Sequence, residues 1–467
     1  MRKGSMTVKK RLTALLLTVL LLCVAVSTPL SASAAYTLDE ATTVNATEAY
    51  VVFLGNDPSK DDVLFEKNAN EKIAPAGLVR IMVGLQAMKL LESKKLDPAT
   101  ATASFTEEID KATHKRLDGT GLVSVGLAVG DVWKIEDVLD AVMINTAGDA
   151  VTLLCVALAG SHEAFVDAMN ATAAELGCVN THFENAYGLE HEAQYTCASD
   201  MYRILRHASF YYPALAAVMA QTDCTINPVV GGQKFFANTC ELLRYYSGYY
   251  DKYVRFGRSG RTEATGQSCA SVAQINGLNV MAVTLGSRDD VGDNCAAFRD
   301  TTALYKWVKN TFDYKTVIHK SQPLGRADVY LGQKTDSVPL VAATDFVVML
   351  RKEIDINTIK YTIELNPQYL DENGKLTAPV NTQTQYAVAH IYDGDVLLGS
   401  IPLYAQTEVK RSQLLAIATT VWSVLSSPFV LIALGVLFLL CVIYVIIAVV
   451  HNRSRRKKKQ RRVKRYR

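Results

Sequence analysis

Residues 412–450 carry no charged side chain, and residues 451–467 then bring eleven lysines and arginines with no acid. The most apolar part is 428–450. At 1.5 Å per residue it extends about 34 Å, enough to cross a hydrocarbon core. A cationic flank of this size stays on the cytoplasmic side of the membrane. The sequence therefore predicts a single-pass protein of the cell membrane: a transmembrane helix over 428–450, a basic cytoplasmic tail over 451–467, and everything before them on the other side. The tail reads as a stop-transfer signal and anionic-lipid anchor rather than as a nucleic-acid arm.

The other end agrees with that orientation. Residues 1–11 hold five basic side chains, an apolar stretch follows from residue 12 to 26, and Ser31-Ala32-Ser33-Ala34 closes the segment. This is the plan of a secretory signal peptide over 1–34, with cleavage after Ala34. Without the two basic ends, residues 35–450 hold 33 basic and 46 acidic side chains, a net of −13. An acidic ectodomain offers no electrostatic footprint for nucleic acid.

Between the ends the texture changes once. Residues 36–318 mix long helical patterns with short strands. Residues 75–91 have apolar side chains at helical spacing, with Pro75 suited to a first turn. Residues 136–158 read as another buried helical region, and 279–285 as a core strand. From 325 to 410 the pattern alternates with period two, and Asp393-Gly394 between apolar runs signals a hairpin. This second part reads as a small all-β domain. Of nine cysteines, Cys23 falls in the leader and Cys441 in the membrane helix. The other seven contain no Cys-x-x-Cys pair and read chiefly as small buried side chains, with room for one or two disulfides of unspecified pairing.

Several segments together resemble the D-alanyl-D-alanine carboxypeptidases, the low-molecular-weight penicillin-binding proteins. They are KIAPAGLVRIM at 72–82, INTAGDAVTLL at 144–154, NTHFENAYGLEHEAQYTCASDM at 180–201, FANTCELL at 236–243, and GRSGRTEATGQSCASVAQINGLNVMAVTLG at 257–286. GSIPLYA follows at 399–405. The resemblance covers nearly the whole chain. It implies an α+β, serine β-lactamase/transpeptidase-like domain with an antiparallel sheet flanked by helices and a helical subdomain. A small all-β domain and the membrane helix follow. It also implies serine-type release of D-alanine from peptidoglycan stem peptides ending in D-Ala-D-Ala, with no metal and no cofactor.

Family members carry three catalytic motifs. In Ser-x-x-Lys, at a helix start, the serine is acylated and the lysine one turn along takes its proton. Ser-x-Asn relays a proton and holds the substrate amide. Lys-Thr-Gly, on a strand edge, binds the terminal carboxylate. All three are altered here: the first reads Gly77-Leu78-Val79-Arg80, the second Thr146-Ala147-Gly148, the third Arg258-Ser259-Gly260. Glycine offers no nucleophile, and arginine is a poor base. The sole Ser-x-x-Lys is Ser454-Arg455-Arg456-Lys457 in the tail, and no Ser-x-Asn or Lys-Thr-Gly occurs anywhere. Loss of a serine nucleophile alone costs on the order of 10⁶ in turnover.

Three functional readings follow. In the first, a pseudoenzyme still holds stem peptide. Arg258, Ser259 and Gly260 form a carboxylate site and Arg80 adds a second cation; against this, Arg80 on a helix can simply pair with Asp149. In the second, the protein works structurally or through an unknown protein partner. In the third, it remains an active serine-type carboxypeptidase through non-standard residues, with Thr146, Ser259 or Cys155 as nucleophile. His182, Glu184, His191 and Glu192 cluster in sequence, but in a stretch where the family uses no metal.

Overall fold

The computed structural model describes residues 36–288, 292 and 294–463, the last ten by backbone alone. The expected leader, 1–34, and the end of the basic tail lie outside the described residues. The chain divides into two compact units, Met1–Asp313 and Tyr314–Arg467.

The first unit is built on a five-stranded antiparallel sheet. Its strands are β1 (Glu48–Phe53), β2 (Asp62–Lys67), β7 (Val254–Thr262), β8 (Gly266–Ile275) and β9 (Leu278–Ser287), in the order β2-β1-β9-β8-β7. The core strand expected over 279–285 is β9, at the centre of the sheet. Strand β7 is an edge, so one side of its backbone is free to meet other elements. Two small antiparallel pairs, β3–β4 (Thr102–Ser104, Val132–Lys134) and β5–β6 (Asp223–Ile226, Lys234–Ala237), stand apart from this sheet.

Helix α1 (Val79–Lys94) follows a single 3-10 turn, Ala76–Leu78, as Pro75 predicts. Every residue from Val79 to Ala87 is buried. A helix covered on all sides belongs at the centre of a helical layer, and α1 packs among the buried side chains of α3 (Ile135–Asn145), α4 (Gly148–Ala159) and α6 (Ala198–Tyr211). Between them run α2 (Glu107–Leu117) and α5 (His162–Glu175), and the layer closes with α7 (Pro213–Met219). Helix α2 starts on Thr106, whose hydroxyl accepts from Ile109 N. It carries Glu107, Glu108 and Asp110 in its first turn and His114, Lys115 and Arg116 in its last, an order that complements the helix dipole. Helix α8 (Ala296–Thr311) ends the unit.

The helical region expected over 136–158 is two helices, not one. Thr146 adopts φ 60 and Ala147 is extended, which ends α3 and starts α4 in a new direction. Apolar periodicity is blind to a single left-handed residue.

The second unit has a six-stranded sheet in the order β14-β16-β17-β12-β11-β15 and a separate pair, β10–β13. In chain order the strands are β10 (Phe312–Ile318), β11 (Pro323–Tyr330), β12 (Ser337–Ala342), β13 (Phe346–Arg351), β14 (Lys360–Leu365), β15 (Leu376–Thr377), β16 (Gln385–Asp393) and β17 (Val396–Ala405). The predicted hairpin joins β16 to β17. Asp393 pairs with Val396, so the turn itself is Gly394-Asp395, one residue later than the dipeptide signal placed it. Helix α9 (Gln413–Leu425) and the long α10 (Pro428–Val463) follow. Pro428–Arg453 is apolar, exposed and long enough to cross a membrane.

Candidate functional site

The three altered motifs are far apart in sequence, and the fold brings them together. The first stands at the start of α1. Ala76 holds φ 49, a left-handed conformation that costs a residue with a Cβ free energy. This elbow turns the 3-10 segment so that Gly77 faces edge strand β7. The second motif is the left-handed junction between α3 and α4. The third is the middle of β7 itself.

Gly77 and Gly260 meet backbone to backbone. A Cβ on Gly77 would lie 2.9 Å from Gly260 Cα and 3.1 Å from Ser259 O, and a Cβ on Gly260 would fall 2.5 Å from Gly77 Cα. Carbon atoms in proteins do not pack that closely. The place where a serine side chain would begin is therefore filled by the strand. A second seal lies beside it: a Cβ on Gly148 would come within 2.7 Å of Leu117 Cδ1. The space that a side chain at 148 would enter is held by Leu117, the last residue of α2.

The segment after α2 is pinned across the same region. The carboxylate of Asp149 accepts from Ser124 Oγ at 2.6 Å, from Val125 N and Leu127 N at 3.1 Å, and from Ala150 N at 3.0 Å. Gly148 N donates to Val123 O at 2.8 Å. Asp149 therefore has no oxygen left for Arg80, and the Arg80–Asp149 pair considered from the sequence is not formed.

Both motif arginines are fully buried. Arg80 Nη2 donates to Thr146 O at 3.0 Å, and Arg258 Nη1 reaches Ile144 O at 3.5 Å. Both acceptors belong to the carbonyl end of α3, the negative pole of that helix. Among the described residues, Arg80 Nε and Nη1 and Arg258 Nε and Nη2 have no hydrogen-bond partner. Burial, and then the charge of Arg258, pushes Arg80 down to about 9. Burial pushes Arg258 down to about 10. Each remains a cation at neutral pH, held by carbonyl dipoles rather than by a carboxylate.

The remaining candidates are occupied or inert. Ser259 Oγ donates to Thr239 O at 3.0 Å. Cys155 is buried inside α4, and desolvation drives its thiol well above the usual range. Thr146 is half-buried. His162 stacks on Tyr187 with ring centroids 4.8 Å apart and accepts from Ala186 N through Nε2. Burial lowers it to about 4, so it is a neutral, structural imidazole. His182 bonds Glu184 at 3.0 Å, and His191 accepts from Ala193 N. Both rings line a cleft of about 480 Å³, together with Arg116, His162, Glu163 and Asn170.

Sequence reasoning missed Leu117 and the segment 123–127. Nothing local marks them, because their role arises from contacts across the fold.

A family model described as D-alanyl-D-alanine carboxypeptidase matches residues 33–289, and one described as penicillin-binding protein 5, C-terminal domain, matches 312–411. D-alanyl-D-alanine carboxypeptidase DacF of Bacillus subtilis is 23% identical over 75% of this chain and 83% of its own length. DacD of Escherichia coli is 23% identical over 74% and 83%. Penicillin-binding protein 5 of Haemophilus influenzae superposes with a TM-score of 0.55 at 20% identity, over 79% of this chain and 98% of that one. A Streptococcus pneumoniae structure titled as a peptidoglycan synthesis regulatory factor (PBP3) gives 0.59 at 17% identity, over 78% and 99%. At these identities the solved structures establish the shared fold.

Proposed function

The chain belongs to the D-alanyl-D-alanine carboxypeptidase family, and on that premise we propose that it is a non-catalytic member. It is tethered at the outer face of the cell membrane and serves the peptidoglycan system through its surface, by binding a protein partner. In this reading residues 1–34 export the chain, 428–450 cross the membrane, and the basic tail stays in the cytoplasm. The observation that supports it most is the contact between Gly77 and Gly260. A hydrolase of this family needs a nucleophile at the first position and open space between helix start and strand edge. This chain has neither. The lost base at Arg80 and the Leu117 side chain over Gly148 argue the same way.

A second reading rests on the unpartnered guanidinium N–H groups of Arg258 and Arg80. A D-Ala-D-Ala terminus could present its carboxylate to Arg258, with Ser259 adding a hydrogen bond, if β7 moved away from Gly77. Calorimetry with a D-Ala-D-Ala-terminated stem peptide separates the two. The first reading expects no heat of binding; the second expects binding that Arg258→Ala abolishes.

Labelling of the full chain with a fluorescent penicillin tests the non-catalytic reading directly. No covalent band is expected, because no acylable hydroxyl stands at residue 77. A stable band that maps to Thr146, Ser259 or Cys155 would overturn it and establish a relocated nucleophile.

A further inference from the structure

We infer that Cys240 and Cys269 are joined by a disulfide in the mature protein, stapling the chain ahead of β7 to strand β8 behind Ser259. The inference rests on the proposed export of this unit for its oxidising surroundings.

The geometry begins with the segment 238–240. Asn238 Nδ2 donates to Gln221 O at 2.7 Å, its Oδ1 accepts from Cys240 N at 2.9 Å, and Thr239 N donates to Ile144 O at 3.3 Å. The segment is thus fixed. Ser259 Oγ donates to Thr239 O at 3.0 Å, and Ser259 is the direct ladder partner of Cys269. Side chains of directly opposed residues leave a sheet on the same face. The carbonyl that receives the Ser259 hydroxyl leads straight into Cys240, so Cys269 stands beside it. Both residues are fully buried, and the neighbouring Cys269 thiol together with burial holds the Cys240 thiol well above its usual range.

The other buried cysteines differ in their partners. Cys178 Sγ donates to Asp200 O at 3.8 Å, Cys197 Sγ meets Ser199 Oγ at 3.3 Å, and Cys224 Sγ donates to Asp140 Oδ2 at 3.4 Å. Each of these has an oxygen partner. Beside Cys240 stands the thiol of Cys269, and both are free in the structure.

The reaction is a thiol–disulfide exchange. The S–H bonds of Cys240 and Cys269 and the S–S bond of the donor break, the Cys240–Cys269 S–S bond forms, and the two electrons and two protons pass to the donor, which leaves as two thiols. The donor is an exported dithiol–disulfide oxidoreductase or a small disulfide such as oxidised glutathione. Exchange takes place during folding, before the segment 238–240 closes over Cys269. Once formed, the buried bond is shielded from thiolates. The link closes a loop that contains all of β7 and holds Arg258-Ser259-Gly260 in place against Gly77.

The test uses the full chain extracted from membranes in detergent. One portion is analysed as isolated. Another is fully reduced in denaturant and refolded with glutathione disulfide. Both are alkylated in denaturant without reductant and digested for peptide mapping. We expect one linked peptide pair, Cys240–Cys269, in both portions, with Cys155, Cys178, Cys197 and Cys224 alkylated. Reduction should lower Tm by about 5 °C or more, and the Cys240→Ser/Cys269→Ser double variant should show no such dependence on reductant. Alkylation of both cysteines in the refolded portion, or a link from either to another cysteine, overturns the pairing. Protease shaving of intact cells reads export separately. A free pair on a shaved ectodomain overturns the disulfide and leaves the export reading standing. A link found only after refolding, on a protected ectodomain, overturns the exported disulfide through its location.

Discussion

Arg206 and Arg258 are both buried arginines of the first unit, and they are held in opposite ways. Arg206 Nε donates to Asp61 Oδ2 at 2.7 Å, and its Nη2 donates to Asp61 Oδ1 at 2.9 Å and to Gly55 O at 2.7 Å. Tyr202 Oη adds a bond to the same carboxylate at 2.7 Å. This is a forked, charge-neutral pair with its lone pairs used. Arg258 has one long bond to a carbonyl, at 3.5 Å, and its neighbour Arg80 has one carbonyl bond, at 3.0 Å. A fold that must bury a cation for stability supplies a carboxylate. At the family cleft this chain keeps two cations and supplies only a helix end. Their present surroundings do little to stabilise them.

The comparison makes a strong prediction first. Arg206→Met leaves Asp61 buried without its cation and should cost about 3–5 kcal/mol. Chemical unfolding of the full chain in detergent measures it. Arg258→Met and Arg80→Met should change stability by about 1 kcal/mol or less, or raise it, since a desolvated charge is exchanged for an apolar side chain of similar length. A loss at Arg258 as large as that at Arg206 would break the comparison.

A buried acid sharpens it from the other sign. Glu48 Oε2 accepts from Ala198 N at 2.8 Å, while Oε1 has no partner among the described residues. Burial lifts this carboxyl to about 8, against a small pull from the Ala198 amide. Between pH 4.5 and about 8 the unfolded chain has released this proton and the folded one retains it. Stability should therefore be complete below the lower value and fall as pH rises through the window. Glu48→Gln should flatten that slope and stabilise the protein at pH 8 by a few kcal/mol in order of magnitude. An unchanged slope in the variant would show that Glu48 is already ionised.

Smaller effects test the seals. Asp149→Ala strips the acceptors from Ser124, Val125 and Leu127 and should cost about 2 kcal/mol. Gly260→Ala drives a methyl into the Gly77 backbone and should cost about 1–3 kcal/mol. Gly77→Ser should cost a similar amount, and Gly77→Ser with Arg80→Lys should still release no D-alanine while Gly148 lacks a carboxamide. If the serine variant is as stable as the parent, the helix start and the strand edge separate easily, and the stem-peptide reading gains.

The three stretches around Gly77, Thr146 and Arg258 could be singled out in the sequence by residue type alone, and the fold brings them together. The central helix after Pro75, the strand β9 and the β-rich second unit were legible from periodicity. What was not legible lies in contacts between distant residues. The Gly77–Gly260 contact pairs two residues that each look merely permissive alone. Leu117 reads as the end of an amphipathic helix until Gly148 leaves it room. The break at Thr146 depends on one left-handed residue, and an apolar pattern runs straight through it.

The most direct measurement is D-alanine release from a D-Ala-D-Ala-terminated pentapeptide by the full chain reconstituted in lipid vesicles, beside the same vesicles without protein. With the helix start closed on the strand edge and no nucleophile at residue 77, release should equal that of the empty vesicles. Release above it that is blocked by penicillin would contradict the account.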